Sequence, residues 1–377
     1  MVQIIFLISL FLILYAYIGY ALSLYLIGFN RNKNVERKRH FPSVTIIITA
    51  FNEEESIREK IENTLSIVYP KDILQIIIAS DGSTDGTNEI VVNYKEKGIE
   101  LLPIPVRGGK ENAQKEAVKR ARGDILVFTD VATILEPSGV EQIVSNFADP
   151  GIGCVSSVDR VIGKDGKPSG EGFYVRYEMW LRNLESKVNS LVGLSGSFFA
   201  ARRTVCQDFS ENLDSDFRTV LNSVKTGLRG ISDPAAIGYY RDISDPKQEF
   251  ERKVRTVLRG LTVFFKSTEF LNVFKYGMFS YQLFCHKLLR WLVPFFLIIA
   301  FISNIMLVHT TWLYFSLFLI QLVILVIFFM DKFGIVSSAS RYLYVPIYFI
   351  NVNVSILIAW SRYLKRERVV MWDPTRR

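Results

Sequence analysis

The 377-residue chain has little of what most metal, redox and nucleic-acid chemistry requires. It holds only three histidines, too few for a histidine-built metal site. Its three cysteines, Cys154, Cys206 and Cys285, are scattered without paired metal spacing and read as reduced thiols of a cytosolic compartment. Internal repeats, low-complexity tracts and a basic–aromatic RNA or DNA signature are absent, so nucleic acid is not an expected partner despite a formal charge of +8. Four long stretches lack Asp, Glu, Lys and Arg altogether: Ile4 to Phe29, Trp291 to Val308, Trp312 to Met330 and Leu343 to Trp360. Few spans, with no charge inside them, argue against a transporter.

What is present begins with those apolar stretches. Ile4 to Phe29 is long enough to cross ~30 Å of hydrocarbon, and no basic residue precedes it as in a cleaved leader, so an uncleaved anchor is expected. Arg31, Lys33, Arg37, Lys38 and Arg39 follow directly and place the middle of the chain in the cytoplasm by the positive-inside rule. The basic excess fits contact with anionic headgroups. Near the other end, Phe250, Val254, Val257, Leu258, Leu261 and Phe265 share one helical face, with Arg252, Arg255 and Arg259 on a separate stripe. That is the pattern of a helix lying in the headgroup plane, and Tyr276 to Arg290 reads as a second interfacial piece. Three C-terminal crossings would carry the tail outside, whereas Arg362, Lys365, Arg366, Arg368, Arg376 and Arg377 favour the cytoplasm; a cytoplasmic tail is expected.

Between the anchor and these helices, β and α patterns alternate. Val44 to Ala50, Ile73 to Ala79, Leu101 to Val106 and Ile125 to Phe128 read as strands, the third interrupted by Pro103 and therefore near an edge. Helices are expected over Glu53 to Ser66, Thr87 to Lys97, Lys110 to Ala121, Gly172 to Val192 and Phe217 to Lys225. The alternation predicts an α/β domain with a mostly parallel sheet covered on both faces.

Four polar clusters follow predicted strands or open helices: Thr49-Ala50-Phe51-Asn52-Glu53-Glu54, Asp81-Gly82-Ser83-Thr84-Asp85-Gly86, Arg107-Gly108-Gly109-Lys110 and Phe128-Thr129-Asp130. Ligands of open parallel sheets sit outside the carboxyl ends of the strands, so the four converge on one crevice. An acid after a strand, followed by glycines and hydroxyls, suits ribose or base recognition. A calcium loop is excluded because Val92 stands where its bidentate Glu belongs.

With these motifs the chain resembles the family-2 inverting glycosyltransferases of GT-A fold, of the membrane-embedded kind that includes chitin, hyaluronan and poly-N-acetylglucosamine synthases. The resemblance covers about Ser43 to Arg290, and more loosely the flanking spans. It implies a GT-A, Rossmann-like domain at 40–245, after an anchor at 1–30. Interfacial helices at 246–287, two to three C-terminal spans at 288–362 and a basic tail at 363–377 follow. It also implies that Ala50, Asn52, Glu53, Asp81, Asp85, Arg107 and Lys110 bind the donor nucleotide, and that Asp130 binds a divalent metal, Mg²⁺ or Mn²⁺. Ser195, Gly196 and Ser197 match the small-residue segment near sugar and acceptor, and Asp216 matches the general base.

Four positions depart from or loosely follow the family pattern. Ala132 replaces the second acid of the metal motif, and Ser215 replaces an acid beside the base. Gln248 and Arg252, in the place of an acceptor-holding Gln-x-x-Arg-Trp, are one residue too far apart and lack the Trp. The tail Trp372-Asp373-Pro374-Thr375-Arg376 is loosely similar to the Trp-Gly-Thr-Arg tail of some synthases. The expected activity is sugar transfer from a nucleotide-diphosphate sugar, with UDP as the expected nucleotide, to a lipid-linked or polysaccharide hydroxyl. The enzyme is expected in the inner (cytoplasmic) membrane with its catalytic domain in the cytoplasm. Alternatives are a processive synthase, a polyprenyl-phosphate sugar transferase, and a non-catalytic nucleotide-sugar-binding partner of a synthase.

Overall fold

The computed structural model describes residues 1–162, 173–207, 214–241, 246–333 and 341–367. It divides into two compact units. Among the described residues, one comprises 1–23, 246–261 and 281–367, and the other comprises 24–241 and 262–280.

The second unit is built on an eight-stranded sheet. Its strands are β1 (Val44–Ala50), β2 (Leu74–Asp81), β3 (Ile99–Ile104), β4 (Ile125–Asp130), β5 (Ile134–Leu135), β6 (Ile152–Ile162), β7 (Phe198–Arg202) and β8 (Arg229–Arg241). They lie in the order β3-β2-β1-β4-β7-β6-β8-β5. The first four pair in parallel, as the strand–helix alternation predicts. β7 then runs antiparallel to both β4 and β6, while β8 returns parallel to β6. The Pro-containing β3 sits at the edge, where a missing N–H costs no ladder bond.

β1 is buried at every residue because helices cover both faces of the sheet. Ile46, Ile48, Ile76, Ile78, Ile125 and Val127 pack with Ile57 and Ile61 of the helix Ile57–Leu65 and with Val140 and Ile143 of the helix Gly139–Val144. The helix Lys110–Arg120 packs against β1 and β2 and buries Ala113 and Ala117. β1 and β4 are in register at Thr49 and Asp130, and β1 and β2 at Ala50 and Ser80. The residues ending these three strands, Ala50, Asp81 and Asp130, therefore share one edge of the sheet.

The other unit is helical. Among the described residues four helices are long and apolar enough to cross a membrane: Val2–Asn30, Met278–Leu307, Trp312–Asp331 and Val345–Leu364. Three are C-terminal, so the upper of the two expected counts holds. The Met278–Leu307 helix takes in most of the stretch expected as a separate interfacial piece, and the apolar run continues backward through a π-helical turn at Phe284–Leu289. It thereby includes Arg290, which is buried, donates to the Ala16 carbonyl and lies 5.3 Å from the Tyr17 ring centroid. Within this unit Phe6 packs edge-on to Tyr314, and the Trp360 indole donates to the Trp291 carbonyl at 2.9 Å. The amphipathic helix runs from Pro246 to Lys266. The Trp372–Arg376 tail lies outside the described residues.

Candidate active site

Two loops at the strand ends hold each other. Asn52, whose φ is +50°, donates its N–H to Ser83 Oγ at 3.1 Å and accepts from the Thr84 N–H at 2.8 Å. The Glu53 N–H donates to Thr87 Oγ1, and the Glu54 N–H to Asp85 Oδ2. Asp85 also accepts from the Thr87 N–H and hydroxyl, so it braces the start of the helix Thr87–Val92. Burial acts to raise its carboxyl pKa, but the bonds from Thr87 and Glu54 outweigh this and hold it below the ordinary value.

Asp81 is buried, and both its oxygens accept backbone N–H groups, from Gly108 at 2.8 Å and Gly109 at 2.7 Å. The carboxylate therefore fastens the Arg107–Lys110 loop to β2. Gly82 makes the approach possible: its φ is +68°, and a Cβ there would meet the Arg107 nitrogen at 2.9 Å. Arg107 stacks on Phe51, its guanidinium carbon 3.6 Å from the ring centroid.

The loop delivers Lys110 into the crevice. Its ammonium lies 2.5 Å from Asp130 Oδ1 and donates to the Gly196 carbonyl at 2.9 Å. Burial opposes the Lys110 charge, but Asp130 more than compensates and lifts its pKa above the ordinary value. Glu53 faces the same carboxylate. Burial, reinforced by Asp130 and Asp85, pushes its pKa up to about 7.

The turn Ser195-Gly196-Ser197 is the hub. Ser195 Oγ donates to Asp159 Oδ2 at 2.5 Å and Ser197 Oγ to Asp159 Oδ1 at 2.6 Å, so one carboxylate on β6 clamps both ends. The Asp130 N–H donates to the Ser197 carbonyl at 3.2 Å, tying the turn to β4. Asp216, in the first turn of the helix Ser215–Lys225, lies against Gly196 from another side: a Cβ on Gly196 would sit 2.6 Å from Asp216 Oδ2.

The residues named from sequence thus fall into three groups. Lys110, Asp130, Gly196 and Asp216 meet directly, with Ser195 and Ser197 framing them. Asn52, Glu53, Asp81, Asp85 and Arg107 form the adjoining loop lattice, and Ala50 is the buried last residue of β1. Arg252 belongs to the other unit, on the helix Pro246–Lys266.

Two site residues escaped the sequence reading. Asp159 is the one acid in the strand Ile152–Ile162, followed by Arg160 after seven apolar or small residues, which is the signal that could have marked it. Lys60 shares the apolar face of its helix with Ile57, Ile61 and Thr64, so the i, i+3, i+4 pattern could have flagged it. Its side chain is fully buried beneath the crevice and donates to Thr129 Oγ1 at 3.0 Å and to the Thr133 carbonyl at 2.5 Å. Burial lowers the Lys60 pKa to about 7, with Asp130 opposing.

Among the described residues no three His, Cys, Asp or Glu side chains cluster as a ready-made metal cage. Asp130 offers one hard carboxylate oxygen set at the crevice, with Ala132 in the companion position. That donor set fits Mg²⁺ or Mn²⁺ only when phosphate oxygens and waters complete the shell, which is how Mg²⁺ is commonly held.

Residues 45–209 match the family model described as glycosyl transferase family 2. Among curated proteins, the chain is similar to the poly-beta-1,6-N-acetyl-D-glucosamine synthase of Staphylococcus epidermidis, with 27% identity over 139 residues, 36% of this chain and 33% of that one. It is similar to the synthase of the same name from Staphylococcus aureus, with 31% identity over 123 residues, 32% of this chain and 29% of that one. The matches thus span about a third of the length of these curated relatives. Among solved structures, the fold is similar to that of a mannosyltransferase, PcManGT from Pyrobaculum calidifontis in complex with GDP-Man and Mn²⁺. The TM-score is 0.77 at 19% identity, covering 98% of this chain and 100% of that one. The strand order, the motif positions and the family match agree: residues 45–209 of this chain are a glycosyl transferase family 2 domain, built on the GT-A fold.

Proposed function

We propose that the protein is a membrane-bound inverting glycosyltransferase that moves a sugar from a nucleotide-diphosphate sugar to a hydroxyl of a lipid-linked or glycan acceptor. The observation that carries this reading is the convergence on Gly196. Its carbonyl accepts from Lys110, Lys110 pairs with Asp130, and its Cα lies against Asp216. A cation for diphosphate, a carboxylate for a metal and a carboxylate for proton removal thus surround one small residue.

In the proposed reaction Asp216 takes the proton of the acceptor hydroxyl as its oxygen attacks the anomeric carbon opposite the departing diphosphate. The Ser195–Ser197 turn presents a surface without bulk, so sugar and acceptor can reach Asp216. Lys110 balances charge on the diphosphate, and Asp130 would hold Mg²⁺ or Mn²⁺, a Lewis acid that would neutralise the leaving group. Asn52 and Asp85 keep the nucleotide loops in place, while the Phe51–Arg107 stack forms a flat wall beside them. The four apolar helices support a reaction at a membrane, and the Arg31–Arg39 cluster favours its cytoplasmic face.

The test uses the full chain purified in detergent, a screen of UDP- and GDP-sugars, and membrane extract as acceptor source, reading nucleoside diphosphate release. Asp216→Asn should keep nucleotide binding and lose roughly 10²–10⁴-fold in turnover, the usual worth of general base catalysis. Near-normal turnover in that variant would sink the assignment.

A further inference from the structure

The Lys110–Asp130 pair is more than a donor-binding detail. The Lys110 ammonium occupies the Asp130 carboxylate oxygen that a metal would use. Its side chain is 11% exposed and that of Asp130 22%, and they meet at 2.5 Å. The pair is close to neutral as a unit, Ala132 adds no carboxylate at the companion position, and of the nearby acids burial pushes the Glu53 carboxyl toward its neutral form. A divalent ion on Asp130 would face an ammonium at the same carboxylate, in a partly desolvated crevice where like charges repel strongly.

We propose that Lys110 is the resident counter-ion of Asp130, so that a divalent cation enters only together with a nucleoside diphosphate. This rests on the reading of Asp130 as the metal ligand. The diphosphate resolves the conflict in two ways at once. It offers Lys110 a new anionic partner, and it supplies the oxygen ligands that Ala132 cannot. When Lys110 swings to the diphosphate it also releases the Gly196 carbonyl. That carbonyl, beside Asp216, then becomes an acceptor open to a sugar hydroxyl. Loading of the donor and opening of the sugar subsite become one event. A crevice without nucleotide stays closed by its own lysine.

The experiment is a Mn²⁺ titration of the full chain in detergent, followed by electron paramagnetic resonance of free Mn²⁺, with and without UDP or GDP. Wild type, Lys110→Gln, Asp130→Asn and the double variant are compared. Wild type without nucleotide should bind Mn²⁺ weakly. Lys110→Gln should bind it roughly tenfold or more tightly, the scale of ordinary site coupling, and the double variant should lose that gain. Nucleoside diphosphate should recruit Mn²⁺ strongly to wild type and add much less to Lys110→Gln. Should Lys110→Gln not fold, Lys110→Met keeps the aliphatic stem and carries the same comparison.

Equal nucleotide-free Mn²⁺ affinity in wild type and the Lys110 variant, with Asp130→Asn abolishing nucleotide-dependent binding, overturns the counter-ion role alone. Nucleotide-dependent Mn²⁺ binding that survives Asp130→Asn, or that is missing from wild type, overturns the metal assignment beneath it.

Discussion

Lys60→Met is the sharpest test of the electrostatics under the crevice. In the unfolded chain this lysine keeps its proton up to about pH 10.5; in the fold, burial releases it near pH 7. Between those values the unfolded state binds more protons, so stability rises with pH across the window and falls as pH drops toward 7. At about 1.4 kcal/mol per pH unit, the Lys60 contribution changes by roughly 4 kcal/mol between pH 7 and pH 10. Methionine has no proton to exchange, so the stability difference between variant and wild type should shift by that amount over the same range. Lost bonds to Thr129 and the Thr133 carbonyl add a constant cost of about 1–3 kcal/mol, which offsets the level but not the slope. Thermal unfolding of the detergent-solubilised chain reads this as a change in ΔTm on the order of 10 °C. Comparing the two proteins cancels the titrating groups that do not interact with Lys60. Asp130→Asn should move the wild-type window to lower pH, because Asp130 opposes the shift. A pH-independent ΔTm between Lys60→Met and wild type would refute the reasoning.

Two further outcomes follow from the same geometry. Glu53 has its pKa raised from 4.5 to about 7 by burial and by Asp130 and Asp85, so its stability contribution is present below pH 4.5 and lost as pH rises through 7. Glu53→Gln should therefore melt higher than wild type at pH 8, with the gain fading by pH 4.5; thermal scans at the two pH values decide it. Gly196→Ala should fold, since its new Cβ meets only the mobile end of Asp216, 2.6 Å from Oδ2. Displacing that carboxylate by about an ångström should cost about 10²-fold in turnover, measured as nucleoside diphosphate release; unchanged turnover would contradict the role of Asp216.

Much of the site was legible because its parts are local. β1, β2 and β4 are runs of buried β-branched and aromatic residues, and each ends in a polar cluster, so strand and ligand loop could be read together. Val44–Ala50 matched to the residue, while β2 and β4 extended to include Asp81 and Asp130. The later strands were hidden. β6 carries Ser156 and Ser157 in buried positions that break its apolar run, and β7 offers only the four apolar residues Phe198 to Ala201, too short a run to separate strand from turn. The antiparallel insertion of β7 between β4 and β6 had no local signature at all.

The roles of individual acids were less legible still. Asp81 and Asp85 carry nucleotide-type motifs, yet both are engaged by backbone N–H groups of this chain. A motif states which groups lie at a strand end; it does not state which of them the protein already uses.

The amino-acid order alone established four uncharged runs able to cross a membrane, a parallel α/β pattern between them, and polar clusters at strand ends. These follow from hydrophobic period, run length and turn chemistry, which act over a few neighbouring residues. The pairing of Lys110 with Asp130, the clamp of Asp159 on Ser195 and Ser197, and the approach of Asp216 to Gly196 came only from the folded chain. Lys110 and Gly196 are 86 positions apart, and their contact exists because β7 is inserted beside β4. Burial, which moves Lys60 and Glu53 toward neutral pH, is likewise a property of the packed core and of no single segment.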